Sequence, residues 1–153
     1  MPRIALEPRS HVEHLSVLDS EGNLDAALEP KLSADELKSL YRAMVLGRRL
    51  EERMVRRQRQ GRIGTFAPIK GQEASQMGAA FALRKADWMV PSFREPAAMI
   101  WRGRPIEKLL LFFAGHVEGG RPADDQHDLT ITHSGANELS HAVGLAASTQ
   151  YSG

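Results

Sequence analysis

The 153-residue chain has no cysteine. Disulfides, zinc–thiolate sites and a cysteine nucleophile are therefore excluded. It also lacks any run approaching the ~18 apolar residues of a membrane span. The opening MPRIALEPRSHVEHL contains no apolar stretch of signal-peptide length. There is no HExxH, no GxGxxG, no P-loop, no nucleophile elbow and no metal-spaced His/Asp cluster. Neither charge sign dominates, because 20 Lys and Arg face 19 Asp and Glu for a net charge of +1. Composition thus selects no polyanionic partner and no membrane. The expectation is a soluble, cytoplasmic protein with one real core.

Residues 1–32 read as an extended arm. Pro2, Pro8 and Pro30 break helices, and Ser20-Glu-Gly-Asn23 reads as a turn. Residues 33–153 form the rest of the organisation. Ser33-Ala-Asp-Glu36 has the pattern of a capping box, followed by Leu37, Leu40, Tyr41, Met44 and Val45 at helical spacing. Leu50, Met54 and Val55 prolong that helix, and Gly61 should stop it. A second helix is expected from Gln72 to about Arg84. Its small residues (Ala74, Gly78, Ala79, Ala80, Ala82) predict burial against close neighbours. Trp88 to Pro91 is a strand candidate, Glu95 to Trp101 a helix, and Pro105 the start of another that ends at Gly115. Gly115 to Asp128 reads as a loop. Leu129-Thr-Ile-Thr132 alternates like a strand, and Asn137 opens a final helix, Glu138 to Gln150, again rich in small residues, which suggests packing against a sheet. The fold class is α/β, helix-rich with an incomplete parallel sheet. One or two short strands do not complete such a core, so the chain reads as truncated.

Three groups of residues have chemical potential. Eight arginines, from Arg42 to Arg62, crowd the first helix and its exit. They suit either a solvated face with salt bridges, Glu51 and Glu52 offsetting part of the charge, or phosphate binding. The near-neutral chain and the absence of interleaved aromatics favour the former, and no nucleic-acid partner is expected. Ser92-Phe-Arg-Glu95 follows a strand candidate, and an arginine there suits an anionic group. Thr132-His-Ser-Gly-Ala-Asn137 precedes the last helix; His133 and His141 are either ligands, acid–base groups or packing residues.

Three stretches carry a resemblance. They are LYRAMVLGRRLEERMVRRQRQGRIGTFAPIKGQEASQMGAAFAL, DWMVPSFREPAAMIWRGRP and ELSHAVGLAAS. Together they make Tyr41 to Tyr151 similar to the alpha subunit of thiamin-diphosphate-dependent 2-oxo acid dehydrogenases of the pyruvate, branched-chain and acetoin type. QRQGRIGTFAPIKGQEA and VPSFRE followed by RGRP are the most specific pieces.

The resemblance implies part of a thiamin-diphosphate-binding fold and an oxidoreductase subunit. Such enzymes decarboxylate a 2-oxo acid and pass the acyl group to the lipoyl arm of an acyltransferase component. It implies a beta-subunit partner in a heterotetramer, with the cofactor between the two and the beta chain supplying the activating glutamate. The cofactor supplies the chemistry and the protein orients it. Carried over by position, Arg94 contacts the diphosphate. Phe93 stands where tyrosine is usual, so one phosphate contact is missing. Phe66 lies on the segment that approaches the active site, and Ala67 occupies a histidine position of some pyruvate-type members. His133 offers its backbone carbonyl to the aminopyrimidine amine. Gly135 stands where a larger apolar residue wedges the cofactor. Ser134 and Ser140 replace frequent prolines, and Glu138 a glutamine. The GDG…N motif that holds Mg2+ belongs downstream of the final helix, so these residues include no metal ligand and no catalytic residue. The competing expectation is a non-catalytic remnant or interaction piece of the same subunit.

Overall fold

A computed structural model describes residues 12–122, 127–132 and 135–152. The chain divides into two compact units, Met1–Ser33 and Ala34–Gly153.

In the first unit the described residues reverse direction at Asp19–Asn23 and turn again at Asp25–Leu28. Leu18 and Leu24 form an isolated antiparallel bridge. Asp19 organises the reversal: Oδ1 accepts the Glu21 and Asn23 amides at 2.9 and 2.8 Å, and Oδ2 accepts Asn23 Nδ2 at 2.8 Å. Asp is favoured in turns for this local bonding. The Asn23 side chain in particular holds the Asp19 carboxyl below the usual carboxylate range. Val12, Leu15, Leu18, Leu24 and Leu28 are exposed.

Among its described residues the second unit carries six helices: α1 (Ala34–Arg59), α2 (Glu73–Ala82), α3 (Pro96–Trp101), α4 (Ile106–Phe113), α5 (Val117–Gly120) and α6 (Asn137–Ser152). α1 starts directly after Ser33, with Asp35 and Glu36 in its first turn and Arg56, Arg57 and Arg59 in its last. Both ends complement the helix dipole. Gly61 and Gly115, at φ +69° and +92°, follow the ends of α1 and α4, where left-handed backbone favours glycine.

The main core gathers Leu50 and Met54 of α1, Ala80 of α2, Met99 of α3, Leu109 and Phe113 of α4, with Met89 and Ile131. Each large side chain so buried contributes about 1.5–3 kcal/mol. A second cluster, Ile69, Met77 and Ala97, sits where α1, α2 and α3 approach. Gly47 permits that approach, since a Cβ there would lie 3.3 Å from Ala97 Cβ.

Four expectations need correction. First, the described residues hold no strand. The two strand candidates reduce to one parallel bridge, Met89 with Asp128. Met89 N donates to His127 O and Leu129 N to Met89 O, at 2.8 and 2.9 Å. The next donor in a parallel ladder falls at Pro91, which has no N–H. Second, α2 buries Ala80, but Ala74, Gly78, Ala79 and Ala82 are exposed; its core-facing residues are Glu73, Gln76, Met77 and Ala80. Third, the Gly115–Asp128 stretch contains the short helix α5. Fourth, α6 presents Leu139, Val143 and Tyr151 outward, although its Ala and Gly content suggested close packing. Small residues permit close approach but do not cause it.

Candidate functional site

The segment between α1 and α2 has no regular backbone pattern, so its groups need other partners. Two buried carboxylates supply them. Glu51 is 7% exposed and its Oε2 accepts the Ile69 amide at 2.5 Å. Glu73 is 6% exposed; its Oε2 accepts the Gly71 amide at 2.8 Å, while Oε1 accepts Arg48 Nε. The Arg48 side chain holds the Glu73 carboxyl down at about 2, against an ordinary value of 4.5. At the other end Gly64 N donates to Phe113 O at 2.8 Å and Gln58 Nε2 to Gly64 O at 3.2 Å. The path from Gly64 to Gly71 is therefore fixed from α1, α2 and α4.

Arg94 is joined to this path. Its Nη1 donates to Pro68 O at 2.7 Å, and its guanidinium lies 5.4 Å from the Phe93 ring centroid. Behind it, Gln76 Nε2 donates to Arg94 O at 2.6 Å and Gln76 Oε1 accepts the Ala97 amide at 3.2 Å. Gln76 thus holds the Arg94 backbone while α2 holds Gln76. No carboxylate bonds the Arg94 guanidinium among the described residues, which leaves donor capacity and a full positive charge available to an anion. Phe66, two residues before Pro68, packs its ring against Phe113 at 5.9 Å in an edge arrangement. Beyond Phe113 lies a groove of about 680 Å³, lined by Thr65, Phe112, His116, Arg121 and Thr130 among others.

The structure thus brings Phe66, Phe93 and Arg94 to one region around the 64–71 path. Gly135 does not join them: it is exposed, and a Cβ there would meet nothing within 4 Å. His133 lies outside the described residues. Among the described residues no group of three or more His, Asp or Glu side chains is placed to hold a metal ion, and no helix is long and apolar enough to cross a membrane.

Sequence reasoning missed Glu51, Glu73 and Gln76. Glu51 was taken to offset the arginines, yet it shares a helix face with Gly47 and Met54. A carboxylate inside an apolar stripe is the signal that was available. A second buried network was also missed. Asp128 accepts Arg102 Nε at Oδ1, at 2.5 Å. Arg102 also donates to Asp87 O at 2.9 Å and Arg84 O at 3.2 Å. Arg104, 3% exposed, donates from Nη2 to Gly119 O at 2.5 Å. Burial pulls the Arg104 guanidinium below its usual range, while Asp128 pushes it back up. The Arg102–Asp128 contact anchors the 127–132 segment.

The dehydrogenase E1 component family model matches residues 41–152. Over 115 residues the chain is 41% identical to the pyruvate dehydrogenase E1 component subunit alpha of Bacillus subtilis (strain 168), covering 74% of this chain and 31% of that protein. The same subunit of Bacillus cereus is 39% identical over 118 residues, covering 76% and 32%. That of Staphylococcus aureus (strain Mu50 / ATCC 700699) is 37% identical over 120 residues, covering 78% and 32%. The chain spans about a third of the length of these curated relatives.

Proposed function

Because the chain belongs to the dehydrogenase E1 component family, we propose that it forms the N-terminal part of the alpha subunit of a thiamin-diphosphate-dependent 2-oxo acid dehydrogenase. The enzyme decarboxylates a 2-oxo acid, pyruvate or a branched-chain acid, and delivers the acyl group to lipoamide. Its partners are a beta subunit, a lipoyl-bearing acyltransferase component and the 2-oxo acid itself, in the cytoplasm. The α/β sheet is completed by the remainder of the subunit.

One observation supports this reading most. Arg94, on the VPSFRE segment, places a guanidinium that meets no carboxylate among the described residues against the carbonyl of Pro68, on the GTFAPIKGQEA segment. The two most specific family-like stretches converge at Arg94. That donor set fits the diphosphate end of the cofactor, since guanidinium pairs with phosphate oxygens bidentately. Thiamin diphosphate, when bound, supplies the electron sink for decarboxylation. Arg94 would hold the diphosphate, with Phe93 against its guanidinium and Phe66 on the neighbouring path, and the family position of His133, outside the described residues, would offer its carbonyl to the aminopyrimidine amine. Gly135 leaves the wedge position empty of side chain. The Mg2+ ligands belong to the remainder of the subunit.

A second reading, a non-catalytic interaction piece, draws on the outward Leu139, Val143 and Tyr151 of α6. The deciding experiment follows CO2 release from pyruvate and from a branched-chain 2-oxo acid, using the full subunit assembled with its beta partner and thiamin diphosphate. Cofactor-dependent release supports the enzyme reading. A correctly assembled pair that binds no thiamin diphosphate and releases no CO2 leaves the interaction reading.

A further inference from the structure

α1 carries more arginine than its own carboxylates neutralise, and one row of it borders a groove. Leu46, Arg49, Leu50, Arg53 and Arg57 share one face of α1, and with Ile106 and Leu110 of α4 they enclose about 290 Å³. The floor is apolar. Leu50 belongs to the core, Ile106 and Leu110 pack against it, and Leu46 is 42% exposed. The rim is cationic. Arg49 spends part of its charge on Glu52 at 3.2 Å. Arg53 and Arg57 are exposed, and neither guanidinium has a hydrogen-bond or ion-pair partner among the described residues. The row from Arg49 to Arg57 spans about 12 Å, eight residues at 1.5 Å each.

We propose that this groove docks an acidic segment of a partner polypeptide, one that sets leucine-type side chains between its carboxylates. The apolar floor removes water from the leucines, and the arginine row meets the carboxylates. Arg is the residue suited to such contacts, because its planar fork binds carboxylate bidentately and its stem covers apolar surface. A nucleic-acid backbone would use the arginines and leave the floor unfilled, so the leucines are the distinguishing requirement. The surface lies on the α1–α4 side and does not depend on the assignment of Arg94.

The test uses the full-length subunit assembled with its beta partner, and a fluorescein-labelled 12-residue peptide carrying Glu at positions 1, 5 and 9 and Leu at intervening positions. Anisotropy is read at low and at physiological salt. Binding should weaken tenfold or more in Arg53→Glu/Arg57→Glu, and severalfold in Leu46→Gln, an exposed change that leaves the fold intact. Replacing the peptide leucines by serine should weaken it similarly with no change to the protein. The proposal is overturned if the peptide does not bind, or if the serine peptide binds as tightly. Insensitivity to both protein variants would also overturn it. So would a single-stranded oligonucleotide that binds more tightly than the peptide and competes it away.

Discussion

Arg102 and Asp128, 26 residues apart in sequence, form an ion pair with side chains 8% and 0% exposed. Among the described residues the second Asp128 oxygen, Oδ2, has no hydrogen-bond partner, nor do Nε and Nη1 of the neighbouring Arg104. Three charges are thus withdrawn from water around one carboxylate. Replacing such a cluster by apolar residues is often neutral, whereas removing one member is expensive. Asp128→Asn should lower unfolding stability by about 3–5 kcal/mol, because it strands buried guanidinium charge. Urea unfolding of the two proteins checks the figure.

Glu73 should make the protein acid-sensitive over a defined window. Its carboxyl titrates near 2 in the folded chain instead of 4.5. A carboxyl that ionises more readily when folded contributes in full above its unfolded value, and that contribution fades as pH falls from about 4.5 towards 2. Arg48 is 40% exposed, so solvent screens part of the attraction. Glu73→Gln should cost about 1–3 kcal/mol at neutral pH. It should also flatten the stability-versus-pH curve between 4.5 and 2. Thermal melts across that range would show it; parallel curves for the two proteins would refute it.

Two glycines should respond in opposite directions to alanine. A Cβ on Gly119 would lie 2.1 Å from Phe112 N and 2.6 Å from Lys108 O, both backbone atoms of α4. α5 would have to lift away, so Gly119→Ala should destabilise by about 1–3 kcal/mol, as overpacking does. Gly78, inside α2, meets nothing within 4 Å. Gly78→Ala should stabilise by about 0.5–1 kcal/mol. Melting temperatures of both variants test the contrast.

Cofactor affinity tests the 93–94 pair. In the assembled full-length subunit, Arg94→Ala should weaken thiamin diphosphate binding by about 2–4 kcal/mol. Phe93→Tyr should tighten it by about 1–3 kcal/mol, if the new hydroxyl reaches the charged phosphate. Calorimetric titration reads both, and an unchanged affinity in Arg94→Ala would remove Arg94 from the site.

Helices were legible because local signals set them. The apolar spacing from Leu37 to Val55 and the stops at Gly61 and Gly115 are properties of neighbouring residues. The start of α4 after Pro105 is too. The bridge of Met89 with Asp128 was not legible as a bridge, because pairing depends on a distant partner and Pro91 ends it after one residue. Arg94 could be picked out by its place after a strand candidate. Its bond to Pro68 could not, since 26 residues separate them. Asp128 offered no periodic cue at all. Burial of a charge is decided by where its counter-charge arrives.

The carboxylates that hold the 64–71 path have a consequence for how that path is inherited. Its shape is written largely outside itself, at Glu51 on α1 and Glu73 on α2, which grip main-chain amides and ignore side-chain identity. Neutral drift can therefore exchange exposed residues such as Thr65 or Lys70 while the chain keeps its course. A deep mutational scan should find tolerance at those two positions and intolerance at the two glutamates flanking them.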